Sequence, residues 1–117
     1  MDLEHAIKAH GEWKLKFRAA ISAKEQMDLD SIAADHCCAL GKWLHGEGKS
    51  HYAGLHSYTN CVGKHAEFHH EAGRVAKAIN HGRFDEAESM LGAGTPYSIA
   101  SSAVGVAILA LKKEARL

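Results

Sequence analysis

Tyr58-Thr-Asn-Cys-Val-Gly-Lys-His65-Ala-Glu-Phe-His69-His-Glu-Ala-Gly-Arg-Val-Ala-Lys-Ala-Ile79 is the stretch that decides the fold. Tyr58, Val62, His65, His69, Ala72, Ala76 and Ile79 recur three and four residues apart, so they share one face of a helix. The pattern predicts a long helix from about Ala53 to Asn80, ended by Asn80-His81-Gly82. Its buried seam contains two histidines. A buried imidazole costs free energy unless its nitrogens find partners. No acidic residue lies in the seam, and side chains four apart on a helix can converge on one metal ion.

Outward from that seam, the same period recurs. Leu3, Ile7, His10, Trp13, Phe17 and Ile21 form a stripe that predicts a first helix from Asp2 to about Ala23. A polar connection, Lys24 to Asp30, leads to a second helix over Ile32 to His45, stopped by Gly46 and Gly48. Glu47 to His51 reads as a loop. After the long helix come a short helix, Phe84 to Leu91, and a final one from about Tyr97 to Glu114, opened by Thr95 as N-cap and Pro96 at the first helical position. No segment has the period of a strand. The expectation is a single all-α domain over residues 1–117. Its architecture is an antiparallel four-helix bundle with an additional short helix before the last.

The chain has 117 residues, with ten His and three Cys. Fourteen basic residues balance fourteen acidic ones, so the formal net charge is zero. That argues against a nucleic-acid partner, which would call for a basic surplus. Ile99 to Leu111 is too short and too polar to span a bilayer, and the polar N-terminus lacks the apolar core of a signal peptide. An odd number of Cys, two of them adjacent, argues against a disulfide framework and for a reducing, cytoplasmic setting.

His10 lies in the apolar stripe of the first helix and is a third candidate ligand beside His65 and His69. Zn²⁺ takes four donors from His and Cys, so a thiol is wanted. Cys37 shares a helical face with Ala33, Leu40 and Leu44, whereas Cys38 falls with the small residues Ala34 and Gly41. Periodicity leans toward Cys37 and leaves the choice open. Cys61, four before His65 on the same helix, reads as core. His5, His36, His45, His51, His56, His70 and His81 fall on polar faces or in loops, and Trp13 and Trp43 read as core aromatics beside the site.

Cys38-Ala-Leu-Gly-Lys-Trp43 resembles the Cys-x-Leu/Phe-Gly-x-Trp motif of the chemoreceptor zinc-binding domain family. His10-Gly-Glu-Trp13 is similar to the family's His-x-x-Trp element, and His65-Ala-Glu-Phe-His69 to its His-x-x-x-His element, in the same order. The resemblance implies zinc ligands His10, Cys38, His65 and His69, which settles the thiol in favour of Cys38. It also implies a homodimeric regulatory module in bacterial chemotaxis receptors or cyclic-di-GMP enzymes, acting on an attached or partner output domain. Four ligands leave no open position for a catalytic water, so no enzymatic activity is expected. Two other readings exist. A metal-responsive repressor would need a basic face. A di-iron bundle would need more than the single Glu67-x-x-His70 element present here.

Overall fold

The computed structural model describes residues 1–117, and every regular element in it is a helix. The first predicted helix is present with one interruption: α1 (Leu3–Gly11) and α2 (Trp13–Ala23) meet at Glu12, whose backbone is still helical at φ −74° and ψ −15°. Gly11, a weak helix former, sits at that joint. The Asp2 carboxylate caps α1 by accepting from the His5 amide at 3.0 Å. Lys24, in the left-handed region at φ 54°, ends α2.

The expected helix over Ile32 to His45 is not one helix. It divides into α3 (Leu29–Ala33), a non-helical turn over Ala34 to Cys38, and α4 (Ala39–His45). No Gly or Pro marks this break; tertiary contacts impose it. Ala33 lies against Gly73 of the long helix so closely that a Cβ at Gly73 would come within 2.8 Å of the Ala33 Cβ. The backbone then turns outward at Ala34, which is extended at ψ 126°. Cys38 is extended too and serves as the N-cap of α4.

The expected loop at Glu47 to His51 is helical as α5 (Glu47–Tyr52). Gly46 breaks the chain at φ −118° and ψ −106°, but Gly48 does not. A Cβ at Gly48 would meet the Trp43 ring at 2.9 Å, so that glycine admits an indole rather than ending a helix.

The long helix α6 (His56–Asn80) is the spine. The predicted seam is buried apart from Val62, which is half-buried, and Cys61, Phe68 and Val75 widen it. α8 (Pro96–Ala115) runs against α6 and also packs on α1; α3 covers another side of α6; and α7 (Phe84–Met90) fills in beside α6. Thr95 caps α8 through Ser98, with Pro96 in its first turn. The Glu114 carboxylate, from the far end of α8, accepts from the amide and hydroxyl of Ser57 at the start of α6. That helix start has no cap of its own. Tyr58 donates its hydroxyl to the Leu44 carbonyl at 2.6 Å, tying the end of α4 to α6. The core is one apolar cluster running through Phe17, Leu44, Phe68, Ile79, Leu91, Ile108 and Leu111.

The α2–α3 connection is pinned by one side chain. Asn80 accepts from the Met27 amide at 2.7 Å and donates to the Met27 carbonyl at 3.0 Å. Asn80→Ala leaves both backbone groups without their partner, at a cost of about 1–3 kcal/mol. A urea melt of the variant should show a lowered midpoint with the wild-type slope; a midpoint equal to wild type would contradict the role given to Asn80.

Candidate metal centre

Three separate parts of the chain place donors at one point. His10 lies in the last turn of α1, Cys38 caps α4, and His65 and His69 stand one turn apart on α6. One donor atom from each lies within 4.8 Å of all the others. The Cys38 sulfur is 3.8 Å from His10 Nε2, 3.2 Å from His65 Nε2 and 3.5 Å from His69 Nε2. The Nε2 atoms of His65 and His69 are 3.1 Å apart. All three imidazoles are buried and Cys38 is half-buried.

Hydrogen bonding settles which nitrogens face inward. His10 Nδ1 lies 2.7 Å from the Ala6 carbonyl, and His69 Nδ1 lies 2.8 Å from the Ile32 carbonyl. A carbonyl can only accept, so both Nδ1 atoms carry hydrogen and both Nε2 atoms present lone pairs to the cluster. His65 Nδ1 has no partner. Lone pairs thus converge on a sulfur in an apolar interior. A cation is the chemical complement of that arrangement, and imidazole with thiolate is the donor set zinc takes. The spacings agree with it. Bond lengths typical of zinc put the donors of a tetrahedral site about 3.3 Å apart for two nitrogens and about 3.6 Å for nitrogen and sulfur. The Nδ1 bonds to Ala6 and Ile32 are contacts of the kind that orient imidazoles toward a metal.

Burial governs the electrostatics of the free site. His65 is pushed down from 6.5 to about 3, first by desolvation and then by His69 and His10 beside it. His10 and His69 are lowered mainly by desolvation, partly offset by their carbonyl bonds. Burial raises the Cys38 thiol, against the opposing effect of the first-turn amides of α4; the Gly41 amide donates to its sulfur at 3.3 Å. At neutral pH the free site therefore holds neutral imidazoles and a protonated thiol.

Glycine at position 41 matters for a steric reason. A Cβ there would sit 1.8 Å from the Asp35 carbonyl oxygen, so only glycine lets the Ala34–Cys38 turn fold across α4 and deliver the sulfur.

The sequence leaned toward Cys37 on helical phase. That phase does not exist here, because residues 34–38 are not helical, and Cys37 is exposed outside the cluster. Cys61 is fully buried in the core, its thiol raised to about 11 by burial. His5, His36, His45, His51, His56, His70 and His81 are all exposed. Glu67 points to solvent, 3.6 Å from Lys64, and no carboxylate joins the cluster, which removes the donors a di-iron centre needs. Trp13 lines a crevice of about 190 Å³ with Ser31, Ile32, Cys37, Cys38 and His69. Trp43 packs instead on Gly48 and Tyr52. The carbonyls of Ala6 and Ile32 were not identified from sequence. An i−4 carbonyl is at least local, but nothing in the sequence joins Ile32 to His69.

The family model of the chemoreceptor zinc-binding domain matches residues 10–76, more than half of the chain. The chain belongs to this family. The matched span opens on His10 and contains Cys38, His65 and His69. Neither a curated protein nor a solved structure gives a significant match. In this chemoreceptor zinc-binding domain the family's namesake chemistry and the one His/Cys cluster of the structure coincide.

The buried imidazoles make the metal-free domain acid-sensitive. In the unfolded chain they titrate near 6.5, whereas the folded site holds them lower, His65 at about 3. Between those values the unfolded chain takes up protons that the folded one refuses. Stability therefore falls as pH drops through about 6.5, by up to about 1.4 kcal/mol per pH unit for each imidazole kept neutral. Denaturation midpoints in chelator should hold level above about pH 7 and decline toward about pH 5. A level midpoint throughout would contradict neutral burial.

Proposed function

We propose that the domain is a zinc-dependent regulatory module of a bacterial signalling protein, with His10, Cys38, His65 and His69 holding one Zn²⁺. The observation that carries this reading is the convergence of three imidazole nitrogens and one sulfur, with no carboxylate among them. Bound zinc supplies a cationic crosslink, not a reaction centre, because four protein donors complete its coordination. No catalytic activity is assigned.

The chain's own connections turn occupancy into a change of packing. His10 commits α1 to the cluster and Cys38 commits the Ala34–Cys38 turn. His69 reaches through the Ile32 carbonyl to the last turn of α3. Coordination requires Cys38 to release its proton, so binding and helix arrangement are linked. Thiolate oxidation is a second input to the same switch: the crevice along Trp13 gives a small oxidant a path to the Cys38 sulfur, and an oxidised sulfur is a lost ligand. A free thiol there implies a reducing, cytoplasmic setting. No helix is long and apolar enough to cross a membrane.

The domain is proposed to pair with a second copy through α8. Ile99 and Val106 are 62% and 70% exposed on that helix, and Leu109 41%. Ser102 is exposed on the same helix, and small Ala103 and Gly105 are half-buried beside it, a surface that allows close approach. The signal then passes to an attached or partner output domain. The four helices of the expected antiparallel bundle are assigned to α1–α2, α3–α4, α6 and α8.

Elemental analysis of the purified domain should give about one zinc per chain. Chelator competition should show a large loss of affinity for His65→Ala and none for the exposed His70→Ala. Equal effects would refute the assigned ligand set.

The dimer is tested separately. Val106→Glu places a charge on the exposed α8 face and should shift sedimentation from dimer to monomer with unchanged helicity. A monomeric wild type would overturn the pairing.

A further inference from the structure

The crevice of about 190 Å³ along Trp13 opens on the cluster from one side. Two of the four converging donors, Cys38 and His69, line it; His10 and His65 do not, and both are buried. An ion that enters or leaves along this crevice therefore meets the Cys38 and His69 face first. Trp13 and Ile32 give the passage apolar walls. A divalent charge held there without donors is costly. Ser31 is a poor candidate for that donor, because its hydroxyl is given to the Asp28 carboxylate at 2.8 Å and a neutral hydroxyl is not among the groups zinc takes. Cys61 is fully buried and does not line the crevice. Cys37 meets every requirement. Its thiol is exposed, it lines the crevice, and it stands beside Cys38 in the same non-helical turn. Across one peptide the two Cα atoms are about 3.8 Å apart. Cys37 is not one of the four converging donors, so the resting site does not use it.

We propose that Cys37 is the entry and exit ligand of the metal centre, a fifth donor used only in transit. Its thiol takes a zinc ion from solvent at the mouth of the crevice, passes it to Cys38 and His69, and receives it again on release. The inference rests on the zinc-binding reading above. Cys37 gives its proton to water as the sulfur coordinates and takes one back when the ion moves on. The crevice is smaller than the about 300–1,000 Å³ of a pocket for a drug-sized ligand, so a chelator of that size collects the ion at the mouth and not at the buried donors. Cys37 stabilises the passage and neither end of it. Its loss therefore slows uptake and release by the same factor and leaves the Kd unchanged.

The experiment measures zinc release from the loaded domain to a fluorescent chelator, and zinc uptake by the metal-free domain, in stopped flow for wild type and Cys37→Ser. Competition titration gives the Kd of each, and circular dichroism checks the fold. Cys37→Ser should slow both rates by about tenfold or more, the effect of about 1.4 kcal/mol lost from the transition state, with the Kd unchanged. Rates equal to wild type would overturn the proposal. A weakened Kd would make Cys37 a resident ligand or a structural residue and would overturn it too. Should Cys37→Ser fail to fold, iodoacetamide treatment of the zinc-loaded wild type blocks the exposed Cys37 while Cys38 is ligated and Cys61 is buried. The alkylated domain should show the same slowing, and unslowed exchange overturns the proposal. A wild type that binds no zinc would overturn the zinc reading itself; a wild type that binds zinc but exchanges it independently of Cys37 overturns this inference alone.

Discussion

Lone pairs facing one another in an apolar interior are the constraint on which the molecule is arranged. His10 and His69 have their Nδ1 hydrogens committed to carbonyls, so their Nε2 atoms bring no hydrogen to the cluster. His65 brings a fully buried ring without a partner for Nδ1. In the absence of a cation the acceptors outnumber the hydrogens available to them, which are the one on the Cys38 thiol and the one of His65, whose Nε2 lies 3.1 Å from His69 Nε2. The surrounding fold holds the cluster in place. Phe68 stacks edge-on against His10 at 5.2 Å, and the same ring meets Tyr97 of α8 at 5.8 Å. The site is thus packed into the main core rather than hung on a surface loop.

How much of this was legible in the sequence follows from how local each signal is. The helical phase of Tyr58 to Ile79 is a property of neighbouring residues, and it placed His65 and His69 on the buried face. The same holds for His10 in the stripe of the first helix. Cys38 was different. Its position depends on a turn with no Gly or Pro, created because Ala33 packs on Gly73 forty residues away and because Gly41 admits the Asp35 carbonyl. Helical phase, applied to a segment that is not helical, favoured Cys37, the thiol that lies outside the cluster, whereas the motif around Cys38 points to the one inside it. Gly48 misled in the opposite sense. A glycine after another glycine looks like a stop, yet its missing side chain makes room for Trp43.

The same contrast between local and distant determinants separates the part of the molecule built on long helices from the part built on short ones. α6 and α8 are long, share most of the apolar core, and are fastened at one end by Glu114 on Ser57 and by Lys112 paired with Glu4 of α1. α3 and α4 are five and seven residues long. Helices that short do not persist on their own propensity, since nucleation costs more than so few turns return. What keeps them helical is tertiary contact. For α3 this is the Asn80 clasp on Met27, the Gly73 contact and the His69 bond to Ile32; for α4 it is Tyr58 on Leu44 and the cap made by the Cys38 sulfur. Two of those contacts, His69 to Ile32 and Cys38 to Gly41, are made by the candidate ligands themselves. On the proposed reading, a change at the sulfur or at His69 therefore acts first on α3, the Ala34–Cys38 turn and α4. The α6–α8 pair then serves as the frame against which that change is registered.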